Sequence, residues 1–585
     1  MRLKLKLGSI KSSFQKRKAD IKNTSFDDFT KVYKKVLKRI PDISHLKNIV
    51  LFSGLSTLTI FILFAQRFTA LNNYLPTKPA FGGIYTEGIQ GEIKQLNPLY
   101  APINNAETSV VSLVFSGLTK RTDGRQIEPD LAESWEVSED KKTYTFRLRQ
   151  DVVWHDGAPF TAEDVVFTFN KIQDPDVESP YLASWKGVEV TATERYVVVF
   201  RLPDPYVYFL NQTNVPIIPK HILEEVPSSN LTSSEFSTAP IGTGPYVFKE
   251  FKELKKNQEV SLESNSDYYD GVPYIKQVVI KAYKNYYEVA EAYRYRSVMA
   301  VERLAPGDIE NSTSLPKIFA YNLSIPEYDS LIFNLRSGLT KDKSLREAIN
   351  LIIDRQEIID EVYDGWAAPV YSAILSGFTG YDSKLRTGVD IAAANKKITD
   401  AGYIKNQDGK LTKDNQLVTL RIVTDDSDLK KKQANLLASK ISSLGFDVSV
   451  EAYPFSTFIE DYVRTRNYDL LLISQSFGAD TDLYAYYHSN MKDDPGLNFS
   501  GLETREVDKY LEQARNSSDA ALRESKYQAI AKIIAAEVPA INICWPSYVF
   551  GASRDIQGIE SMKLIEPKDK YSHLGDWYIK EIWDY

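Results

Sequence analysis

VTLRIVT at residues 418–424, FDVSVEA at 446–452 and YDLLLIS at 468–474 decide the fold class of this chain. The first is a β-branched run of strand length, and the second alternates apolar with polar residues. The third is the uninterrupted apolar run of a strand covered on both faces. Between the first two, Ala434, Leu437, Ile441 and Leu444 recur at spacings of three, four and three, which puts them on one face of a helix. Gly445 follows as a left-handed helix stop. A second helix is expected over about residues 457–464. Strand–helix–strand–helix–strand predicts a parallel sheet with right-handed crossovers, and hence an α/β protein.

Such sheets bind ligands in the crevice beyond the carboxyl ends of their strands. Following the third strand is SQSFGADTDLYAYYHSN, residues 474–490, with Asp480 and Asp482 beside Phe477, Tyr484, Tyr486 and Tyr487. Carboxylates among aromatic rings suit a cationic group in apolar surroundings, such as the amino terminus of a peptide. The same residues also fit a solvated loop with packed tyrosines. Upstream, Ser344 with Glu347 predicts a capping box, and Asp354 with Glu357 opens the next helix. Further upstream, Tyr144, Phe146 and Leu148 alternate with polar residues as a half-buried strand. Trp135 and Val137 supply its partner across a turn at 138–142, and Thr161 is a helix N-cap with Glu163 and Asp164 in the first turn.

The 585 residues are 43% hydrophobic and 25% charged, which supports a folded chain of several domains' length. A single cysteine, Cys544, excludes an internal disulfide, a Cys-based metal centre and a lipid anchor on an N-terminal cysteine. Net charge of -7 argues against nucleic-acid binding, and five scattered histidines argue against a multi-histidine metal site. No cofactor is expected. Residues 1–47 form a strongly basic tail, and 48–66 are 19 residues without a charge. The positive excess on the N-terminal side predicts a single-pass anchor with the tail cytoplasmic and the rest outside. The basic region is far too long for a cleaved signal peptide, and the apolar run lacks the helical polar spacing of a core helix. Residues 67–81 read as a linker.

Several suggestive features have plain readings. His155-Asp156 reads as a structural turn, and Gly242-Thr243-Gly244 lacks the Lys-Ser/Thr of a phosphate loop. Cys544 reads as a small buried hydrophobe. No Ser–His–Asp order, paired-acid motif or metal cluster supports a hydrolase, so the chain is expected not to be an enzyme.

PDLAESWEVSEDKKTYTFRLRQDVVWHDGAPFTAEDVVFTF, residues 129–169, resembles the signature of the oligopeptide, dipeptide and nickel type of ABC-importer solute-binding proteins (family 5). IIPKHIL (217–223), IGTGPYVFKEF (241–251), ESNSDYYDGVPYIKQV (263–278), LIFNLRSGLTKDKSLREAINLIIDRQEI (331–358), the GAD loop at Asp480 and NFSGLETREVDKYLEQA (498–514) follow in the family's order. The resemblance covers residues 82–585. It implies a two-lobed, periplasmic-binding-protein-like clamp of the large form: lobe I over 82–330 with a subdomain at about 105–235, lobe II over 331–545, and a return to lobe I over 546–585. It implies a monomeric receptor that hands short peptides to ABC permease subunits. In peptide-binding members an aspartate of the GAD loop pairs with the peptide's α-amino group while the extended backbone is held like an added strand. Asn498 and Trp366 complete the expected ligand contacts. The chain has Ser476-Phe477-Gly478 where the family usually has Trp-Gly, and one residue fewer before Asp482, which leaves Asp480 and Asp482 as alternatives. Relatives often have Gly where Lys141 or Lys142 stands, so a left-handed residue there would be strained. A sugar oligomer or metal chelate as ligand, or a sensor without a permease, are the other readings.

Overall fold

The computed structural model describes residues 79–580 apart from 101–103, 123–125, 310–314, 316, 337 and 561–562, together with 31, 34, 35, 38 and 52–63. Residues 52–63 are helical, with Phe52, Leu55, Leu58, Ile60, Phe61 and Leu63 exposed. No helix among the described residues is long and apolar enough to cross a membrane. Most of the basic tail, both ends of the expected anchor and linker residues 67–78 lie outside the described residues.

From residue 79 onward the chain is built on two large sheets. One has seven strands in the order Ile318–Asn322, Val549–Ser553, Ala300–Val301, Gly82–Gln90, Ile275–Tyr283, Asn257–Ser264 and Tyr246–Glu253. The other has six, in the order Ala367–Pro369, Ala540–Pro546, Glu327–Phe333, Leu470–Ser476, Thr419–Asp425 and Asp447–Tyr453. The chain passes from the first sheet to the second at residues 323–326 and returns at 547–548. These crossings fall a few residues from the expected 330 and 545, because Glu327–Phe333 already pairs with Leu470–Ser476.

The parallel arrangement expected of the three diagnostic strands is present, within a sheet that is mixed as a whole. Thr419–Asp425 does run parallel to both Asp447–Tyr453 and Leu470–Ser476. However, Leu470–Ser476 has Glu327–Phe333 antiparallel on its other side. An apolar run records burial on both faces, which either strand direction satisfies. The intervening helix is Asp428–Ser443, with Ala434, Leu437 and Ile441 buried and Gly445 at φ 108° as its stop. The helix expected at 457–464 is a short turn, Phe455–Thr457, continued by a π-helix at Phe458–Val463. The expected capping box at Ser344 is displaced: Asp342 is the N-cap, accepting from the Ser344 amide at 3.0 Å.

A four-stranded antiparallel subdomain sheet, in the order Ala132–Val137, Thr143–Leu148, Val197–Arg201 and Glu189–Glu194, packs on the helix Ala162–Gln173. Phe146, Phe169, Trp185, Phe200 and Phe209 form its core, with the Phe169 and Trp185 rings 4.1 Å apart. Each such side chain contributes about 1.5–3 kcal/mol by leaving water. The turn at 138–142 puts Lys141 in the left-handed region at φ 58°. His155 and Asp156 do not pair with each other. His155 accepts from the Gly242 amide, and Asp156 bonds His221 at 2.9 Å. A Cβ at Gly242 would lie 1.9 Å from the Val114 carbonyl oxygen, so Gly-Thr-Gly serves a close approach of two backbones.

Candidate functional site

Leu470–Ser476 delivers the 477–483 loop to the carboxyl end of the central strands of the six-stranded sheet. The loop folds on its own carboxylates. Asp480 Oδ1 accepts from the Asp482 amide at 2.9 Å, and Asp482 Oδ1 accepts from the Tyr484 amide at 3.1 Å. Asx turns of this kind leave the second oxygen of each carboxylate facing outward.

What those outer oxygens meet comes from distant sequence. Asn211 Nδ2, from the subdomain turn Phe209–Gln212, donates to Asp480 Oδ2 at 2.9 Å. Tyr206 Oη donates to Asp482 Oδ2 at 3.2 Å. Arg515, on the helix Arg505–Asn516, places Nε 3.1 Å from Asp482 Oδ2. Its guanidinium lies 4.6 Å from the Tyr206 and Tyr484 ring centroids, a cation held over two aromatic faces. Asp482 therefore already has its cation. Asp480 has none in contact among the described residues, and burial followed by the neighbouring Asp482 carboxylate pushes it up to about 6.

The other expected contacts divide. The Tyr484 ring stacks on His488 at 4.1 Å, and the Tyr486 hydroxyl donates to the Ser476 carbonyl, so both line the loop. Phe477 and Tyr487 are packed more deeply, in the buried cluster of Tyr328, Phe378 and Leu511, which Tyr484 and Tyr486 flank. Asn498 is corrected. It is fully buried, its amide donates to the His488 and Leu502 carbonyls, and its oxygen accepts from the Leu502 amide and Ser500 hydroxyl. Those bonds saturate its side chain within a turn. Trp366 is partly buried and packs against the lobe I cluster of Tyr283, Val289 and Leu304.

Asn211, Tyr206 and Arg515 were absent from the expected set. The stretch DPYVYFLNQTN carries no pattern that pairs it with a loop some 270 residues later. Arg515 directly follows the 498–514 block, and its charge beside an aromatic-rich loop was the one available signal.

Residues 126–495 match the family model for bacterial extracellular solute-binding proteins, family 5. The chain belongs to that family. Among curated relatives of this family 5 protein, the oligopeptide-binding protein AppA of Bacillus subtilis is 26% identical over 525 residues, which is 86% of this chain and 92% of the relative. The solved structure of NikZ from Campylobacter jejuni in complex with Ni(L-His) superposes with a TM-score of 0.74 at 26% identity, covering 85% of this chain and 99% of that one. Bacillus subtilis AppA in complex with a nonapeptide has a TM-score of 0.76 at 24% identity, covering 86% and 100%, a likeness of fold. Such neighbours are two-lobed binding proteins, and the two sheets with their two crossings are the corresponding lobes here.

Proposed function

We propose that this family 5 protein is a transport receptor, not an enzyme, that binds short peptides between its lobes and delivers them to an ABC permease. One observation carries the peptide reading: Asp480 is a half-buried carboxylate with no contacting cation among the described residues, at the strand-end loop, while Asp482 beside it is neutralised by Arg515. A peptide's ammonium is the group that would complete Asp480, displacing the neutral Asn211 amide. The names of the relatives agree, AppA being an oligopeptide-binding protein. Asp480 thus takes the ligand, with Tyr484 and Tyr486 beside it, and Asp482 with Arg515 braces the loop against Tyr206.

Removing one partner of a buried ion pair costs about 2–5 kcal/mol, because the other charge is left stranded. Asp480→Asn should therefore weaken binding of a free-amine peptide by roughly 30-fold to several thousand-fold. An N-acetylated peptide should bind poorly to the unsubstituted protein and lose little more on mutation, since both changes delete one contact. Calorimetric titration reads all four corners of this cycle. If Asp480→Asn binds the free-amine peptide normally and acetylation is harmless, the amine mechanism is wrong and a chelate or sugar ligand becomes the better reading.

We also propose that the receptor works as a monomer tethered by residues 48–66, with the basic tail cytoplasmic and the lobes outside. The charge-free 19-residue run and the basic excess before it support this.

A further inference from the structure

Resting on the peptide reading of Asp480, we propose that Arg121 is an anion-binding arm of the same site, and that the receptor prefers peptides with a carboxylate side chain at or next to the free amino terminus. Arg121 ends the strand Thr119–Arg121. Its Nη2 donates to the Asn211 carbonyl at 2.6 Å, while Nε and Nη1 are buried without a partner. Asn211 is also the residue whose side chain holds Asp480, so a single residue bridges the unpaired guanidinium and the unpaired carboxylate.

Glu566 and Asp569 feel the Arg121 charge through space, but neither hydrogen-bonds its guanidinium. Glu566 pairs with Lys568 at 2.6 Å, Asp569 accepts from the Ile565 and Glu566 amides, and Asp130 accepts from the Tyr269 hydroxyl. Arg121 itself makes no ion pair among the described residues. It also lines a cavity of about 370 Å³ on the lobe I side of Asn211, where Lys120 is matched by Asp270 and Lys568 by Glu566; Asp480 itself does not line this cavity. That volume lies within the range of small-molecule sites. Buried guanidinium donors without acceptors are costly in the empty protein, and a carboxylate is the planar, doubly accepting group that satisfies them best. A ligand bringing an ammonium to Asp480 and a carboxylate to Arg121 would give Asp480 a cation and the Arg121 Nε and Nη1 donors an acceptor.

The test compares alanine di- to pentapeptides with glutamate or glutamine at the first or second position, titrated into the detergent-solubilised full chain. Glutamate should bind about 10- to 100-fold tighter than glutamine at one of those positions, the scale of a charged hydrogen-bonded contact. Arg121→Gln should abolish that preference, and Arg121→Lys should keep part of it. Equal binding of the two series, or a preference that survives Arg121→Gln in a protein with native circular dichroism, overturns the inference. The comparison on the unsubstituted protein and Arg121→Lys decide the matter even if Arg121→Gln misfolds. Equal binding that remains sensitive to N-acetylation overturns the anion arm alone. Binding of neither series overturns the peptide reading and this inference together.

Discussion

Asp480 is a half-buried carboxylate and Asp329 a fully buried one, and their surroundings push them in opposite directions. Burial would raise Asp329, but the Lys430 ammonium and the Tyr363 and Ser474 hydroxyls more than offset it and hold it below the usual range. Asp480 has a neutral amide and a neighbouring carboxylate instead, and stands at about 6 against an ordinary 3.8. Its folded value lies above its unfolded one, so the folded state binds the proton more tightly. The resulting cost is absent below pH 4, grows through pH 4–6 and is fully present above. Asp480→Asn should therefore stabilise the ligand-free protein at pH 7 by about 1–2 kcal/mol, allowing for the solvent that reaches the group. Urea midpoints measured at pH 7 and pH 4 check this, since the gain should vanish at the lower pH. An equal gain at both pH values would mean that the charge of Asp480 is not the cause. The residue scale was partly legible in sequence: aspartates among aromatics marked the loop, but only contacts separated Asp480 from Asp482.

At the scale of elements, the C-terminus of the helix Ala520–Glu537 is closed by Val538 at φ 49°, a left-handed conformation that a β-branched side chain resists. Arg346, on the helix Lys343–Ile352, holds it there. Its guanidinium donates to the Glu537 carbonyl at 2.7 Å, Val538 at 3.0 Å, Thr340 at 3.0 Å and Lys341 at 2.8 Å. A cation at a helix C-terminus also complements the helix dipole. Arg346→Met should destabilise the fold by about 3 kcal/mol or more, since several buried carbonyls lose a charged donor at once. Denaturant unfolding checks this, and a loss below about 1 kcal/mol would show that water or a local shift replaces the bonds. Elements themselves were largely readable: the alternation of Tyr144, Phe146 and Leu148 became a strand with all three buried, and Asp354 caps its helix. Strand order was not readable, because Glu327–Phe333 and Ala540–Pro546 reach the sheet from distant sequence.

At the scale of the whole molecule, the two lobes are joined by short crossings and meet across the loop through Asn211–Asp480 and Tyr206–Asp482. Under the proposed function a peptide replaces or shares these few polar bonds, and two short connections are where a hinge between the lobes would act. Delivery to a permease further requires that the lobes remain outside and close to the membrane. Protease added to intact cells should therefore remove the lobes and leave a protected fragment carrying the basic tail. A soluble mature protein beginning near residue 70 would overturn the tether.

Periodicity by itself determined the α/β class, motif order determined the family, and aspartates among aromatics picked out the loop proposed here for the ligand. These depend on neighbours within a few turns of chain, where the geometry of helix and strand is regular. Only the tertiary structure decided that Asp482 is paired with Arg515, that Asp480 and Arg121 contact no opposite charge among the described residues, and that Asn498, Phe477 and Tyr487 are interior. A charge is free or satisfied according to what stands within about 4 Å of it, and here those neighbours come from segments up to some 300 residues away.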